Sequence, residues 1–455
     1  MIVPHAYQGK RIGVFGLART GLAAVRALLA AGAHVWAWDD DVARRKAVPC
    51  PAIDLYDADF SGLDALMLAP GVPLHHPQPH ALVQKARAAG VPLIGDMDLF
   101  DSARQDLPAH KLVAVTGTNG KSTTVALIHH MVKACGRPAA LGGNIGIPVL
   151  DLDPLPEGGV YVFELSSFQC DLTHSLDADV AVLLNITPDH LDRHGDMAGY
   201  VAAKRRLFEM QSEAHLAVIG VDDAAGRQMA TTLPQNLVPV SVRDERVDGV
   251  GMTPDGQLVE RKDGAAKVVG SLQGLATLRG RHNWQNAAAA YVVGRQLGFS
   301  PNAIMAAFAD FPGLAHRCEV LGQNGGVLVV NDSKATNMEA TATALAAYDK
   351  ILWIAGGRAK STDLSPLAQF FPHIRHAYLI GEAAADFAKA LDGHVPVTQC
   401  GTVDVASQKA MADAKPGETV LFSPACASFD QFSDFEARGE AFRRALAPFL
   451  SGERA

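Results

Sequence analysis

The sequence predicts an α/β protein of three domains built on mainly parallel sheets, and three observations carry that expectation. Short apolar runs alternate with Gly-containing loops and helix-like segments, at Arg11–Ala31, Lys111–Gly136 and Lys350–Phe371. The chain has 455 residues, which the usual domain size divides into about three units. Hydrophobic residues make up 48% and charged residues 19%, enough apolar surface to build several cores. In such sheets ligands sit at the carboxyl ends of strands, so the loops after strands carry the chemistry.

Ile12–Phe15 reads as the first strand, followed by Gly16-Leu-Ala-Arg-Thr-Gly21 and an Ala/Leu-rich helix. This has the outline of a dinucleotide-binding turn, and Asp39 stands after the next strand where a ribose-binding acid would, although Ala18 replaces the middle glycine. Two readings stay open, a nucleotide diphosphate at the helix N-terminus or a structural βα turn. The first domain is expected to span residues 1–100. After it the polar stretch Asp101–His110, with Pro108, leads into a strand at Leu112–Val115.

The second loop is the stronger signal. Leu112–Val115 runs into Thr116-Gly-Thr-Asn-Gly-Lys-Ser-Thr123 and an amphipathic helix reaching Cys135, which Gly136 terminates. The backbone N–H groups of such a loop wrap phosphates. Lys121 would reach the β and γ oxygens, and the Ser122 hydroxyl would touch Mg²⁺. Val115 holds the place of the first glycine in the usual spacing. Gly159–Phe163 is the next strand, with Glu164 at its carboxyl end suited to a cation or, failing that, a solvated charge. Val180–Asn185 opens into Thr187-Pro-Asp-His-Leu-Asp-Arg-His194, where hard oxygen ligands and one His fit Mg²⁺ or Mn²⁺ better than Zn²⁺. His190 is nearest the strand end, while Asp192 and His194 read as loop surface. Tyr200-Val-Ala-Ala-Lys-Arg-Arg-Leu207 reads by composition as a solvated basic helix.

A boundary is expected where Pro312 and Gly313 punctuate the chain, giving domains of 101–313 and 314–455. In the last, strands at Val327–Val330, Ile351–Ile354 and Thr419–Phe422 lead to Asn331-Asp-Ser-Lys-Ala-Thr-Asn337, Gly356-Gly-Arg-Ala-Lys-Ser361 and Ser423-Pro-Ala-Cys-Ala-Ser-Phe-Asp-Gln-Phe432. Lys334 and Lys360 offer carboxylate partners, and Ser428 and Thr336 offer hydroxyl donors, so a small anionic substrate is implied. Cys426 reads as a packed small residue.

The net charge of −8 argues against nucleic acid or an anionic membrane as partner. Six cysteines lack a C-x-x-C pair, which points to reduced thiols. No apolar run approaches the roughly 18 residues of a membrane helix, and no leader pattern opens the chain. A cytoplasmic enzyme is the expectation.

These motifs together resemble the Mur ligases. Thr116–Thr123, Glu164-Leu-Ser-Ser-Phe-Gln169, Thr187-Pro-Asp-His190 and Gly280-Arg-His-Asn283 are similar to the family's central ATPase domain. The loops Asn331–Asn337 and Ser423–Phe432 resemble the branch that joins D-glutamate to UDP-N-acetylmuramoyl-L-alanine in cell-wall synthesis. The resemblance implies Rossmann-like first and third domains around a P-loop-type middle one, and a monomer. ATP would be held by Gly117, Thr118, Asn119, Gly120, Lys121, Ser122 and Thr123, with Asn286, Arg317 and Asp332. Two Mg²⁺ ions would be served by Ser122, Glu164, His190 and a carbamylated Lys204, the last overriding the solvated-helix reading; Lys121, Glu164, His190 and Lys204 would be the catalytic set. The UDP-linked substrate would meet Gly16, Arg19, Thr20, Asp39, Gly71, Asn144 and His190. Lys334, Thr336, Lys360, Ser428 and Phe435 would form the glutamate pocket. The chain departs from the family at Asp40-Asp41, where a hydroxyl and a basic residue are usual, and at Ala69-Pro-Gly71 in place of Ser-Pro-Gly. A nicotinamide-dependent dehydrogenase would explain Gly16–Gly21 and Asp39 but not Gly117–Ser122. A folate-polyglutamating enzyme would lack the first unit.

Overall fold

The structure, a computed structural model, describes residues 1–450 apart from 235 and 245. Its three sheets follow the chain in order. The first contains β1 (Arg11–Phe15), β2 (His34–Trp38), β3 (Ala65–Leu68) and β4 (Leu93–Ile94), all parallel, in the order β2-β1-β3-β4. The second contains β5 (His110–Thr116), β6 (Ala139–Gly143), β7 (Gly159–Glu164), β8 (Val180–Leu183), β9 (Leu216–Gly220), β10 (Asn236–Ser241), β11 (Val250–Met252), β12 (Gln257–Lys262) and β13 (Ala265–Ser271). Its order is β13-β12-β11-β10-β9-β8-β5-β7-β6, parallel from β6 to β11 and antiparallel beyond. The third contains β14 (Glu319–Asn324), β15 (Val327–Asn331), β16 (Ile351–Gly356), β17 (Ile374–Ile380), β18 (Val397–Gly401) and β19 (Thr419–Phe422). Its order is β14-β15-β19-β16-β17-β18, with only β14 antiparallel. The first two sheets lie in one compact unit, Met1–Gln273 with Asn283–Phe311. The third lies in another, Gly274–His282 with Pro312 onward.

The central strands are apolar without alternation because helices cover both faces of a parallel sheet. All six residues of β7 and all four of β8 are buried. The helix Asp96–Ala103 spans the position expected for the first boundary, near Phe100. Met97, Leu99, Phe100 and Ala103 have no exposed surface, and the Phe100 ring meets Tyr161 and Phe163 at 5.3 and 4.7 Å. Four apolar residues in one helix outweigh the polar ones between them. One expectation is corrected: the third strand–loop–helix pattern closes in a 3₁₀ segment, Ser365–His373, where Pro372 lacks the N–H an α-helix would use.

In each sheet the loops at the carboxyl ends of neighbouring strands converge. Gly16 follows β1, Asp39 follows β2 and Ala69-Pro-Gly71 follows β3, the three adjacent strands of the first sheet. In the second, β8, β5 and β7 are adjacent, and the register pairs Val115 with both Val182 and Glu164. The phosphate-type loop, the acid and the His190 loop therefore leave the sheet at one level.

Gly21 lies on the first turn of the helix Arg19–Ala30, and a Cβ there would collide with the Gly16 carbonyl. The helix therefore docks directly on the loop that it follows. Gly21→Ala is expected to lower the unfolding free energy by about 1–3 kcal/mol, as overpacking does. Urea denaturation measures it, and an unchanged midpoint would mean that the helix withdraws from the loop at no cost.

Candidate active site

A cavity of about 480 Å³ opens where the first sheet's loops face the central sheet. Gly16, Arg19, Thr20, Asp39, Gly71 and Asn144 all line it, six of the residues expected to hold the UDP-linked substrate. Asp39 spends its carboxylate inside the protein. Leu17 N–H donates to Oδ2 at 2.6 Å and Asp41 N–H to Oδ1 at 2.9 Å, with Arg44 at 3.4 Å. Burial alone would raise its pKa, but these donors and the Arg44 charge hold it below the usual carboxylate range. Asp39 thus pins the Gly16 loop to the end of β2. The basic group expected after it is absent at Asp40-Asp41, yet Arg44, on the short helix Val42–Lys46, lines the same cavity.

The loop Thr116–Thr123 is held from three sides. Gly120, at φ 87°, caps the helix Lys121–Ala134, and a Cβ there would strike the Asn286 side-chain amide. Asn185 then grips the loop from the end of β8. Its carbonyl accepts from Thr118 N–H at 2.8 Å, and its side chain exchanges bonds with the Asn119 backbone at 2.9 and 3.1 Å. Thr118 Oγ1 meets Thr187 N–H at 3.0 Å and the Tyr200 hydroxyl at 3.2 Å. Lys121 Nζ donates to the carbonyls of Gly117 and Thr118 at 2.8 and 2.7 Å.

Lys204 overturns the solvated-helix reading. It has no exposed surface, and Nζ donates to the Gly117 carbonyl at 2.9 Å and lies 4.7 Å from the centre of the Tyr200 ring. The helix Met197–Glu209 buries Tyr200, Ala203, Lys204, Leu207 and Phe208, the i, i+3, i+4, i+7, i+8 stripe of a core-facing helix. The basic run Lys204-Arg205-Arg206 conceals that stripe because one of its three charges lies on it. Arg206 is also turned inward, donating to the Cys170 and Thr173 carbonyls. Burial, then the nearby Lys121 charge, brings the Lys204 pKa down to about 7.

Glu164 is 1% exposed at the end of β7. Asn144 Nδ2 donates to its Oε1 at 2.7 Å, while Oε2 is buried with no hydrogen-bond partner among the described residues. An orphaned carboxylate oxygen beside a phosphate-type loop fits a cation ligand. Among the described residues no three His, Cys, Asp or Glu side chains gather as a ready metal site. His190 is exposed, 4.8 Å from the Phe168 ring. His194, expected on the loop surface, is instead buried and bonded to Ser167 Oγ at 3.0 Å, because Phe168 stacks on its ring; Asp192 is exposed.

In the second unit the loops carrying Lys334 and Thr336, Ser428 and Lys360 follow β15, β19 and β16, again three neighbours. Two of these loops are tied by paired backbone bonds between Arg358 and Ala427 at 2.9 and 3.0 Å. Lys334 Nζ sits 4.6 Å over the Phe435 ring, Ser428 is buried and Lys360 is exposed. Asp332 accepts from Cys318 N–H at 3.1 Å and the Ser423 hydroxyl at 2.8 Å. Cys426 is buried, and burial pushes its thiol up to about 12, so it packs rather than reacts.

Residues 115–294 match the Mur ligase middle domain, and residues 316–426 match the Mur ligase glutamate ligase domain. The UDP-N-acetylmuramoylalanine–D-glutamate ligase of Phenylobacterium zucineum is 49% identical to this chain, over 100% of the chain and 99% of that protein. This chain belongs to the Mur ligase family. The ligase of the same name from Caulobacter vibrioides is 50% identical over 99% of this chain and 98% of its own length. The crystal structure of a UDP-N-acetylmuramate–alanine ligase from Thermotoga maritima shares the fold, with a TM-score of 0.59 over 98% of this chain and 100% of that one at 16% identity. Within this Mur ligase, sequence reasoning missed Asn185, Tyr200, Arg44 and Gln169. Asn185 was visible as the polar end of an apolar run, and Tyr200 as the residue one turn before Lys204.

Asp332 makes the stability of this Mur ligase depend on pH. Burial lifts its carboxyl from 3.8 to about 7. The folded chain therefore holds a proton that the unfolded chain releases, so the contribution is fully present below about pH 4 and is lost as pH rises through about 7. Asp332→Asn, uncharged at every pH, is expected to gain on the parent by on the order of a few kcal/mol across that window and to stay level above it. Urea titrations from about pH 4 to about pH 8 check it; a gap that does not change with pH rejects it.

Proposed function

We propose that this chain is an ATP-dependent ligase that joins D-glutamate to UDP-N-acetylmuramoyl-L-alanine, a step in making peptidoglycan precursors for cell-wall growth, division and shape. The observation that carries the proposal is identity of 49–50% along essentially the whole chain with ligases of that name. We assign residues 1–100 to the UDP-sugar substrate, 101–313 to ATP and 314–455 to glutamate, in a cytoplasmic monomer. Among the described residues no helix is long and apolar enough to cross a membrane.

A carboxylate is a poor electrophile, because its leaving group would be oxide. An oxygen of the precursor's alanine carboxylate forms a bond to the γ-phosphorus of ATP as the bond to ADP breaks, leaving an acyl phosphate. With the Thr118 and Asn119 N–H groups engaged by Asn185, the N–H groups at the start of the helix Lys121–Ala134 cradle the phosphates, and Lys121 exchanges its loop carbonyls for the phosphate oxygens. Asn286, Arg317 and Asp332 hold the rest of the nucleotide. The glutamate amine attacks the acyl carbon and loses a proton, and the tetrahedral intermediate expels phosphate. Lys334, Lys360, Thr336 and Ser428 bind the glutamate carboxylates, with Phe435 supporting Lys334.

The orphaned Oε2 of Glu164 supports a cation here. Two Mg²⁺ ions held by Ser122, Glu164, His190 and a carbamate on Lys204 would supply charge neutralisation on the phosphates. A buried amine that titrates near 7 is the nucleophilic form needed for that carbamate. Its nitrogen bonds to the carbon of CO₂, a proton leaves, and a positive side chain becomes negative.

ADP release is the test of the activity. It is expected only with the UDP-linked precursor, D-glutamate and Mg²⁺ together, and release indifferent to glutamate, or equal with L-glutamate, would reject it. Lys204→Arg keeps the charge but forms no stable carbamate, so it should lose nearly all turnover while folding normally. Intact-mass analysis of the parent under CO₂ should show the added carboxyl at residue 204, and a fully active Arg variant ends the carbamate proposal.

A further inference from the structure

Behind the 480 Å³ cavity lies a buried carboxylate that the reaction above does not use. Asp96 is the first residue of the helix Asp96–Ala103 and is 2% exposed. Its Oδ2 accepts a hydrogen bond from Gln169 Nε2 at 3.3 Å. Gln169 is also 2% exposed, yet it lines the cavity. The oxygen of its amide is held from the other side. Ser166 donates to Oε1 from both its backbone N–H, at 3.2 Å, and its hydroxyl, at 3.3 Å. Ser166 and Gln169 form the capping box that starts the helix Ser167–Leu172, two residues past Glu164.

This pattern settles which way the amide faces. A flipped amide would set its oxygen against the Asp96 carboxylate and its NH₂ against the Ser166 N–H, losing both of those bonds at a buried site and keeping only a contact to the Ser166 hydroxyl, which can turn to accept. The nitrogen carries two hydrogens, and Asp96 takes one. The other is left for the cavity. We propose that Asp96 is a positioning residue for the UDP-linked precursor: it locks the Gln169 amide so that one N–H donates to an oxygen of the sugar–alanine portion. The inference rests on the reading that this cavity holds the precursor. Asp98, on the same turn, does not share the task, since its carboxylate accepts from the backbone N–H groups of Gly95, His174 and Ser175 at 2.7–2.9 Å.

The test measures ADP release by the full chain with each substrate varied in turn. Asp96→Ala should raise KM for the precursor about ten-fold, the loss of roughly one oriented hydrogen bond, and leave KM for ATP and D-glutamate unchanged. Asp96→Asn, whose side-chain carbonyl can still accept from Gln169, should recover most of that loss. Should the Ala variant fold poorly, the double swap Asp96→Asn with Gln169→Glu rebuilds the buried bond with reversed polarity and offers the cavity no N–H. It should fold and keep the ten-fold rise. A parent enzyme indifferent to the precursor would reject the functional reading instead. With an active parent, a precursor KM that is normal in the double swap, or in an Asp96→Ala variant whose only change is a lower Tm, overturns the inference.

Discussion

Lys204 and Lys121 rest their ammonium groups on one oxygen, the carbonyl of Gly117, at 2.9 and 2.8 Å. Two like charges this close, one of them without exposed surface, cannot both be retained cheaply in a low-dielectric interior. Lys204 is the one that yields, because burial acts on it in addition to the charge of Lys121. The surrounding site is arranged to hold that contact. Tyr200, Leu207 and Phe208 press the Lys204 helix onto the central sheet, and the Tyr200 hydroxyl reaches Thr118 in the phosphate-type loop. Loss of positive charge at Lys204, near the orphaned Glu164 oxygen, would make this region less hostile to a cation.

The same architecture recurs at each sheet. Parallel strands leave their loops at the carboxyl edge, and adjacent strands bring those loops within reach of each other. In the first sheet, Asp39 ties one loop to the next through Leu17 N–H. In the second, Asn185 does so through the Asn119 backbone, and in the third the backbone pair Arg358–Ala427 performs the same task. Polar side chains at strand ends are thus spent largely on bracing loops. That is why Asp39, with both carboxylate oxygens engaged by backbone donors, shapes the cavity wall as well as lining it.

Much of this was legible along the chain. The strands before Gly16, Gly117, Asn331, Gly356 and Ser423 stand out because a buried parallel strand is an unbroken apolar run, and the loop after it carries Gly and polar residues. Glu164 and Lys121 could be picked out by their place at those ends. Lys204, His194 and Gln169 were harder. Each lies on a helix or loop whose local composition is polar, and burial there follows from what packs against it. For Lys204 the helical stripe Tyr200, Ala203, Leu207 held the information, but a run of three basic residues masked it.

Sequence by itself determined the α/β class, the phosphate-type loop and the order of the motifs, because periodicity, glycine placement and strand composition are local properties. It also carried the resemblance to the Mur ligases, since motif residues at set spacings are read along one dimension. Tertiary structure alone decided which polar groups are paid for by partners and which are left over. Glu164 Oε2 has none, Lys204 meets a second lysine at a shared carbonyl, and Asp96 faces Gln169 from 73 positions away. Such pairings depend on desolvation and on contacts between distant segments, and neither exists until the chain is folded.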